Sequence, residues 1–496
     1  MSISDPTSSV MELSIADIHA RFAQGLLTCT QLTQRLLQRI ERYDKRGPCL
    51  NALLSVSPHA LEIARQKDRE YGSNPAAVGP LYGIPVIVKD NYNTADLPTT
   101  GGSVVLARSR PQHDCFVVQQ LRRAGALILA KANLTELAMG GTTISSFGGQ
   151  TRNPYDVLRT PGGSSGGTAA AIAANFGIIG TGSDTGQSIR SPASATNLVG
   201  IRPTRGLVSR SGILPISTTQ DEAGPMTRSV ADAARMLDVM AAYDPDDPIT
   251  AFGRRQKPHS YISSLDRDGL RGARIGLVTD LMGTEAIHEE VNVAVHNAAQ
   301  LMEQLGATVL RIAMPCLTTL TADLGMSRFE FREAFNRYLA RLGPDAPVKN
   351  LTEFLADGRF HPSIKSNLEM YAAVEEGTRS SEYKSQWWRR EALRQAVMTI
   401  MANNDLDAVL YPHQKRLVAR IGEEQLERNG VLSNGTGFPA ITFPGGFSRP
   451  TRSAPLGVPI GIELLGPEWS EPHLIRLAYA FEQAAQLRRP PASTPE

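Results

Sequence analysis

The stretch Pro161-Gly-Gly-Ser-Ser-Gly-Gly-Thr168, followed after a short spacer by Gly182-Ser-Asp-Thr-Gly-Gln-Ser-Ile-Arg-Ser-Pro-Ala-Ser194, is the most informative part of the sequence. Two glycine loops that carry serines flank an alanine-rich segment, which favours a helix. Glycine costs conformational entropy, so this clustering indicates turns or close backbone approaches. A loop that runs into a helix start presents free backbone N–H groups. The candidate donors of an oxyanion hole are the N–H groups of Thr185, Gly186, Gln187 and Ser188.

The composition is that of an ordinary globular protein. The chain has 496 residues, 41% hydrophobic and 20% charged, and a net charge of +2 gives no strong attraction to nucleic acid or membranes. The four cysteines and nine histidines show no metal-ligand spacing, and no disulfide framework is indicated. We therefore expect no metal site, and the motifs described below imply no organic cofactor. No leader-like segment or membrane-spanning stretch is evident, which predicts a cytoplasmic protein.

Short apolar segments alternate with helical segments along the chain, and this alternation predicts an α/β fold. Pro85-Val-Ile-Val-Lys89 reads as a buried strand that ends on a lysine. Functional groups of α/β folds gather beyond the ends of strands. Residues 318–402 read as mostly helical, and their aromatic side chains fit core positions better than an aryl-binding pocket.

These motifs resemble those of the amidase signature hydrolases. Besides the two serine loops, the chain has Tyr82-Gly-Ile-Pro-Val-Ile-Val-Lys-Asp90 and Phe438-Pro-Ala-Ile-Thr-Phe-Pro-Gly445, which match further family motifs. The resemblance implies a mixed sheet of about eleven strands flanked by helices, in one domain over residues 1–496. Its signature core would cover about 75–230, and a variable helical insertion at about 318–402 would contribute to the substrate pocket. The tail at about 488–496 is rich in proline, so we expect it to fray.

The resemblance also implies a catalytic triad. Ser188 would be the nucleophile, Ser164 a bridging serine after a cis peptide bond, and Lys89 the terminal base. A lysine acts as a base near pH 7 only when burial lowers its pKa, because desolvation disfavours the charged form. The implied reaction is hydrolysis of an amide C–N bond through an acyl-enzyme, with release of ammonia or an amine.

Further residues are assigned around this triad. Ser165 is a natural helix N-cap that would support the triad, and for Asp184 and Arg190 we favour a buried ion pair that braces the nucleophile loop. Gln187 departs from the family, which usually has a small residue before the nucleophile, so its side chain is expected to line the pocket. The residues expected to bind substrate are Met139, Gly140, Gly141 and Gln187.

Several alternatives remain at this stage. The same triad serves hydrolases of carbamates, ureas and esters, and the glutaminase subunit of the tRNA-dependent amidotransferase shares the fold. A non-enzymatic binding protein is a third class. Gly162-Gly-Ser-Ser-Gly166 also fits the α/β-hydrolase nucleophile elbow, with His413 or His473 as partner, although a surface position suits His413 better. The expected partners are a small-molecule amide or carbamate and, by default, a second copy of the chain.

Overall fold

The computed structural model describes residues 9–74, 78–315, 317–344 and 346–496. Its centre is an eleven-stranded mixed β-sheet, and a separate two-stranded hairpin lies beside it. The strands are β1 (Leu53–Val56), β2 (Pro85–Lys89), β3 (Leu127–Ala132), β4 (Ile144–Ser145), β5 (Gly149–Gln150), β6 (Ile179–Asp184), β7 (Val199–Arg202), β8 (Glu222–Thr227), β9 (Arg274–Val278), β10 (Thr308–Ile312), β11 (Ala408–Pro412), β12 (Ala440–Phe447) and β13 (Pro459–Leu465).

Helices cover the sheet. They are α1 (Ile15–Ala23), α2 (Cys29–Tyr43), α3 (Ala60–Ser73), α4 (Phe116–Arg123), α5 (Gly166–Ala173), α6 (Arg190–Ala195), α7 (Val230–Met240), α8 (Thr250–Gly253), α9 (Glu289–Gln304), α10 (Leu317–Thr321), α11 (Ser327–Arg341), α12 (Leu351–Asp357), α13 (Lys365–Ala373), α14 (Ser381–Asn403), α15 (Val431–Thr436) and α16 (Glu471–Ala485).

The strand order is β1-β3-β2-β6-β8-β7-β12-β13-β11-β9-β10, and the hairpin pairs β4 with β5. The neighbours β3, β2 and β6 run parallel, as do β11, β9 and β10, whereas the strands between β6 and β11 pair antiparallel. This arrangement confirms the predicted α/β class and the mixed sheet of about eleven strands.

The parallel pair β2 and β6 positions the first functional groups. Their register places Val86 opposite Ile179 and Ile87 opposite Gly180, and both strands are buried along their whole length. Parallel strands end at the same edge of a sheet. Lys89, the last residue of β2, therefore lies beside the end of β6, where the second serine loop begins.

Helix α5 packs unusually close to this edge because small residues line its contact. All eight of its residues are buried. A Cβ on Gly167 would lie 2.1 Å from the carbonyl oxygen of Asn133, and one on Gly180 would lie 2.4 Å from Cγ2 of Thr168. These glycines allow the backbones to approach, and this approach brings the first serine loop over β2 and β6.

The segment 318–402 is mostly helical, as predicted. Phe331 and Phe335 stack with ring centroids 5.1 Å apart, and Phe354 meets Phe335 edge-on at 5.6 Å. All three are buried in one apolar cluster. These aromatic side chains therefore pack this segment against the rest of the fold. Trp388, by contrast, is 76% exposed.

The prediction of a frayed tail at 488–496 was wrong. The backbone oxygen of Pro495 accepts hydrogen bonds from Arg39 at 2.9 Å and from Tyr43 at 2.8 Å, and Thr494 is buried. Proline-rich composition suggested fraying, but long polar side chains of α2 supply the hydrogen bonds that hold the tail. Within the described ranges, every helix is too short or too polar to cross a bilayer.

Candidate active site

The centre of the site is the side chain of Lys89, which is completely buried. Its Nζ lies 2.7 Å from Oγ of Ser164, 2.8 Å from Oγ of Ser183 and 3.3 Å from the carbonyl oxygen of Ser183. The side-chain amide of Asn91 donates to the same Ser183 hydroxyl at 2.9 Å. Strand β2 delivers the lysine and β6 delivers Ser183, so the sheet itself fixes this contact.

The environment of Lys89 contains hydroxyls and a carbonyl, and within the described chain it makes no ion pair. Burial lowers the pKa of Lys89 to about 7, although the more distant carboxylates of Asp184 and Asp221 favour its charged form. A substantial fraction of Lys89 is therefore neutral near pH 7. A neutral amine 2.7 Å from a serine hydroxyl can accept that hydroxyl's proton.

The two serine loops are in direct contact. The peptide bond between Gly163 and Ser164 is cis, as the resemblance implied. The N–H of Ser165 donates to the carbonyl of Ser188 at 3.2 Å. The hydroxyl of Ser165 bridges to the backbone of Ser183, accepting from its N–H and donating to its carbonyl, each at 3.3 Å. Ser165 precedes α5 but makes no side-chain cap, so the expectation of a capping hydroxyl was wrong.

The loop 186–188 uses its carbonyls and leaves its N–H groups free. The carbonyl of Gly186 accepts from Arg190 at 2.7 Å, that of Gln187 from the N–H of Ser191 at 2.8 Å, and that of Ser188 from Ser165. In the part of the chain that the structure describes, the N–H groups of Gly186, Gln187 and Ser188 meet no acceptor. Free N–H donors beside the nucleophile are what a developing oxyanion requires.

Ser188 lies at the wall of a cavity of about 180 Å³ and is 7% exposed. Gln187 beside it has a negative φ, so its side chain imposes no left-handed strain on the loop. Glycine at position 430 leaves space for the Gln187 side chain, since a Cβ on Gly430 would lie 2.6 Å from Cβ of Gln187. The cavity wall consists of Ala138, Met139, Gly140, Thr185, Gly186, Gln187, Ser188, Ile216, Ser327, Asn367, Tyr371 and Arg428.

A buried network of charges braces the nucleophile loop. Arg190 pairs with Asp184 at 3.0 Å and with Glu463 at 2.8 Å, and all three side chains are fully buried. Glu463 also binds His413 at 2.5 Å and Tyr411 at 2.6 Å. Each charge in this network has an opposite charge in contact, which is the usual way that buried charges are accommodated. The pairing of Asp184 with Arg190 was expected from the sequence.

Comparison with known proteins places this geometry in a family. A family model described as Amidase matches residues 31–475. The chain is 34% identical over 490 residues to a glutamyl-tRNA(Gln) amidotransferase subunit from Alkaliphilus metalliredigens, covering 96% of each chain. It is 32% identical over 498 residues to a probable amidase of Arabidopsis thaliana, covering 98% of this chain and 92% of that one.

The chain belongs to the amidase signature family. A solved structure of native peptide amidase from Stenotrophomonas maltophilia superimposes with a TM-score of 0.89 at 35% identity, and the match covers 98% of this chain and 100% of that one. This family consists of hydrolases that act on C–N bonds. Both amidases and amidotransferase subunits are among the relatives of this chain, so family membership alone does not separate these two functions.

The pocket residues expected from this family resemblance divide into two groups. Met139, Gly140 and Gln187 lie in the cavity wall beside Ser188. Gly141 lies outside that wall and packs behind it, where a Cβ would lie 2.0 Å from Nη1 of Arg428. Its effect on substrate would therefore pass through Arg428.

Three residues of the site were missed by sequence reasoning. Ser183 and Asn91 complete the surroundings of Lys89, and Arg428 lines the cavity. Ser183 lies inside the quoted motif and Asn91 follows Lys89 by two positions, so proximity to the motifs was the available signal. Arg428 lies outside the motifs quoted above, and no sequence pattern indicated it.

The nucleophile-elbow alternative is not supported by the fold. Ser164 lies in a loop that follows no strand directly. His413 is fully buried against Glu463, so its expected surface position was wrong, and the imidazole of His473 lies 3.4 Å from Asp407. The described contacts of Ser164 are with Lys89 and, through its carbonyl, with the N–H of Thr135. Neither histidine contacts it.

Proposed function

We propose that this chain is an amidase that hydrolyses an amide C–N bond through an acyl-enzyme on Ser188, releasing ammonia or an amine. The observation that carries the proposal is the buried Lys89, which contacts no carboxylate of the described residues and has a pKa of about 7 and a serine hydroxyl at 2.7 Å. A structural lysine at this position would need an anionic partner.

In the proposed reaction, the hydroxyl of Ser188 attacks the carbonyl carbon of the substrate. Its proton passes to Ser164, and the proton of Ser164 passes to neutral Lys89. The N–H groups of Thr185, Gly186, Gln187 and Ser188 are the proposed donors to the oxyanion of the tetrahedral intermediate. The proton then returns to the leaving nitrogen, and water cleaves the acyl-enzyme by the same proton relay.

The supporting residues act on geometry in this proposal. Ser165 ties the two serine loops together through Ser183 and Ser188. Arg190, held by Asp184, binds the carbonyl of Gly186 and so fixes the conformation of the nucleophile loop. These residues position the reacting groups.

Active-site labelling tests the proposal. The protein is treated with a phosphonyl fluoride, and labelled peptides are mapped in the wild type, Lys89→Ala and Ser164→Ala, with hydrolysis of primary amides and anilides measured in parallel. We expect a label on Ser188 that depends on both Lys89 and Ser164. A label on Ser164, or hydrolysis that survives Lys89→Ala unchanged, would contradict the assignment.

A glutaminase subunit of an amidotransferase is a second candidate, favoured by relatives named as amidotransferase subunits at 32–34% identity. The labelling experiment separates the two when it is followed by turnover assays on the purified chain. Turnover of simple amides without any partner chain supports a stand-alone amidase. Glutamine hydrolysis that requires partner subunits supports the alternative.

Other parts of the expected function remain predictions. Carbamates, ureas and esters are open to the same nucleophile, since it requires only an activated carbonyl. A cytoplasmic location, a single domain over residues 1–496 and assembly as a homodimer rest on the sequence alone, and fractionation and sedimentation measurements address the first and the last.

A further inference from the structure

The cavity beside Ser188 contains a guanidinium without a carboxylate partner. Arg428 lines this cavity, and burial lowers its pKa. With the amide of Gln187 oriented so that its oxygen faces Arg428, that oxygen lies 2.8 Å from Nε, 2.9 Å from Nη1 and 3.1 Å from Nη2. Among the described residues this amide is the one acceptor that the guanidinium meets. A guanidinium has five N–H donors, so one neutral oxygen leaves donor capacity unused.

The position of Arg428 is fixed by its neighbours. The N–H of Asn429 donates to the carbonyl of His413 at 2.9 Å, and the side-chain amide of Asn429 donates to the carbonyl of Pro412 at 2.7 Å. Gly141 leaves the space that the guanidinium fills. The rest of the cavity wall carries no acidic side chain, and Met139, Ile216 and Tyr371 add apolar or aromatic surface to it. The cavity thus offers one fixed positive charge next to the nucleophile.

We propose that Arg428 is a specificity-determining residue that binds a carboxylate on the substrate, so that this amidase prefers amides carrying a negative charge a few methylene groups from the scissile carbonyl. The inference rests on the proposed function. Arginine matches the planar, two-oxygen geometry of a carboxylate, and charge-assisted hydrogen bonds in a buried site are strong.

Matched substrates test the inference. Glutaramate is compared with 5-oxohexanamide, in which a methyl ketone replaces the carboxylate, and the shorter and longer homologues are compared in the same way. We expect kcat/KM of the wild type to favour the best carboxylate over its ketone by about 30- to 100-fold, the range for one buried charge-assisted contact. Arg428→Met should abolish this preference, mainly through KM, and should change the ketones by less than about threefold.

Controls separate recognition from a structural role. Arg420→Met removes an exposed arginine of the same region and should leave the preference unchanged. Arg428→Lys keeps the charge but loses the two-pronged geometry, so it should retain part of the preference. If Arg428→Met does not fold, the inference is still tested by the ratio of kcat/KM between carboxylate and ketone substrates, measured in the wild type and in Arg428→Lys.

Two results would overturn the inference. One is equal turnover of acids and ketones by the wild type. The other is an Arg428→Met variant that loses both substrate classes alike, since that indicates a purely structural arginine. A protein in which Ser188 is labelled but no carboxylate amide is hydrolysed also contradicts the inference while leaving the triad intact. Absence of both label and hydrolysis would remove the proposed function, and the inference with it.

Discussion

Two lysines lie side by side in the sheet, fully buried, and one of them contacts a carboxylate. Lys131 on β3 is paired in register with Val88, the residue before Lys89 on β2. Lys131 forms an ion pair with Asp90 at 3.1 Å and donates to the Tyr92 carbonyl at 2.9 Å. Lys89 meets only hydroxyls and a carbonyl, within the described residues.

The difference shows how the surroundings of two identical side chains give them different roles. Burial lowers the pKa of both lysines, but Asp90 in direct contact opposes that fall at Lys131. At Lys89 the only carboxylates that oppose it, Asp184 and Asp221, make no ion pair with the lysine, and the pKa reaches about 7. The paired lysine is suited to hold structure as a cation, and the unpaired one is suited to exchange a proton.

The largest predicted effect comes from exchanging each lysine for methionine. Lys89→Met removes the proposed base, and we expect kcat/KM to fall by about 10⁴-fold, as when a member of a catalytic triad is lost, with little change in the free energy of unfolding. Lys131→Met is the matched control. It leaves Asp90 buried without its partner, which costs about 3–5 kcal/mol of stability. Amide hydrolysis and urea unfolding are measured on both variants.

The opposite pattern would contradict this division of roles. If Lys131→Met were inactive while stably folded, or if Lys89→Met lost stability and not activity, the ion pair would not mark the structural lysine. The double variant Lys131→Met/Asp90→Asn removes both charges together, so it should recover part of the stability that Lys131→Met loses.

This contrast also shows what the sequence could predict. The motif around Lys89 identified the proposed base. Successive side chains of a strand alternate in direction, and Asp90 accordingly contacts Lys131 and not Lys89. The α/β class and the number of strands followed from the short apolar segments and from the family resemblance.

The remaining features depend on contacts between distant segments. Ser183 meets both Lys89 and Asn91 because β2 and β6 pair with one particular register. Arg428 reaches Gln187 from a segment more than 200 residues away, which no local pattern encodes. The tail was expected to fray because it is rich in proline, and composition does not reveal which side chains will reach its backbone carbonyls.

A smaller effect is predicted when Lys89 is given a carboxylate like that of Lys131. Asn91→Asp is nearly isosteric and places a carboxylate one hydroxyl away from Lys89, through Ser183. A nearby negative charge favours the protonated amine, so the pKa of Lys89 rises. In the wild type, kcat/KM should increase with pH through about 7, as Lys89 loses its proton. In the variant, the rising limb of the pH profile of kcat/KM should move to higher pH by about 1–2 units.

The readout is the pH profile of kcat/KM at constant ionic strength. The plateau at high pH should be recovered, since the base is still present and only its protonation has changed. A variant that loses activity equally at all pH values would indicate damage to the geometry instead. Asn93→Asp is the control, because Asn93 bonds to Tyr338 and makes no described contact with Ser183.

The smallest effect, with the opposite sign, is expected for Ser183→Ala. This variant removes a hydroxyl that lies 2.8 Å from Nζ and favours the charged amine. The pKa of Lys89 should therefore fall, and the rising limb of the profile should move to lower pH by less than about 1 unit. Because the contact to Ser164 stays, the plateau should change little.

The two variants are compared by the pH at which kcat/KM rises. If this pH increased equally in Ser183→Ala and Asn91→Asp, the electrostatic account would be refuted, since only disturbed packing shifts both profiles in the same direction. Displacements of opposite sign would establish that the charge state of Lys89 is set by the groups in contact with it, which is the property that distinguishes it from Lys131.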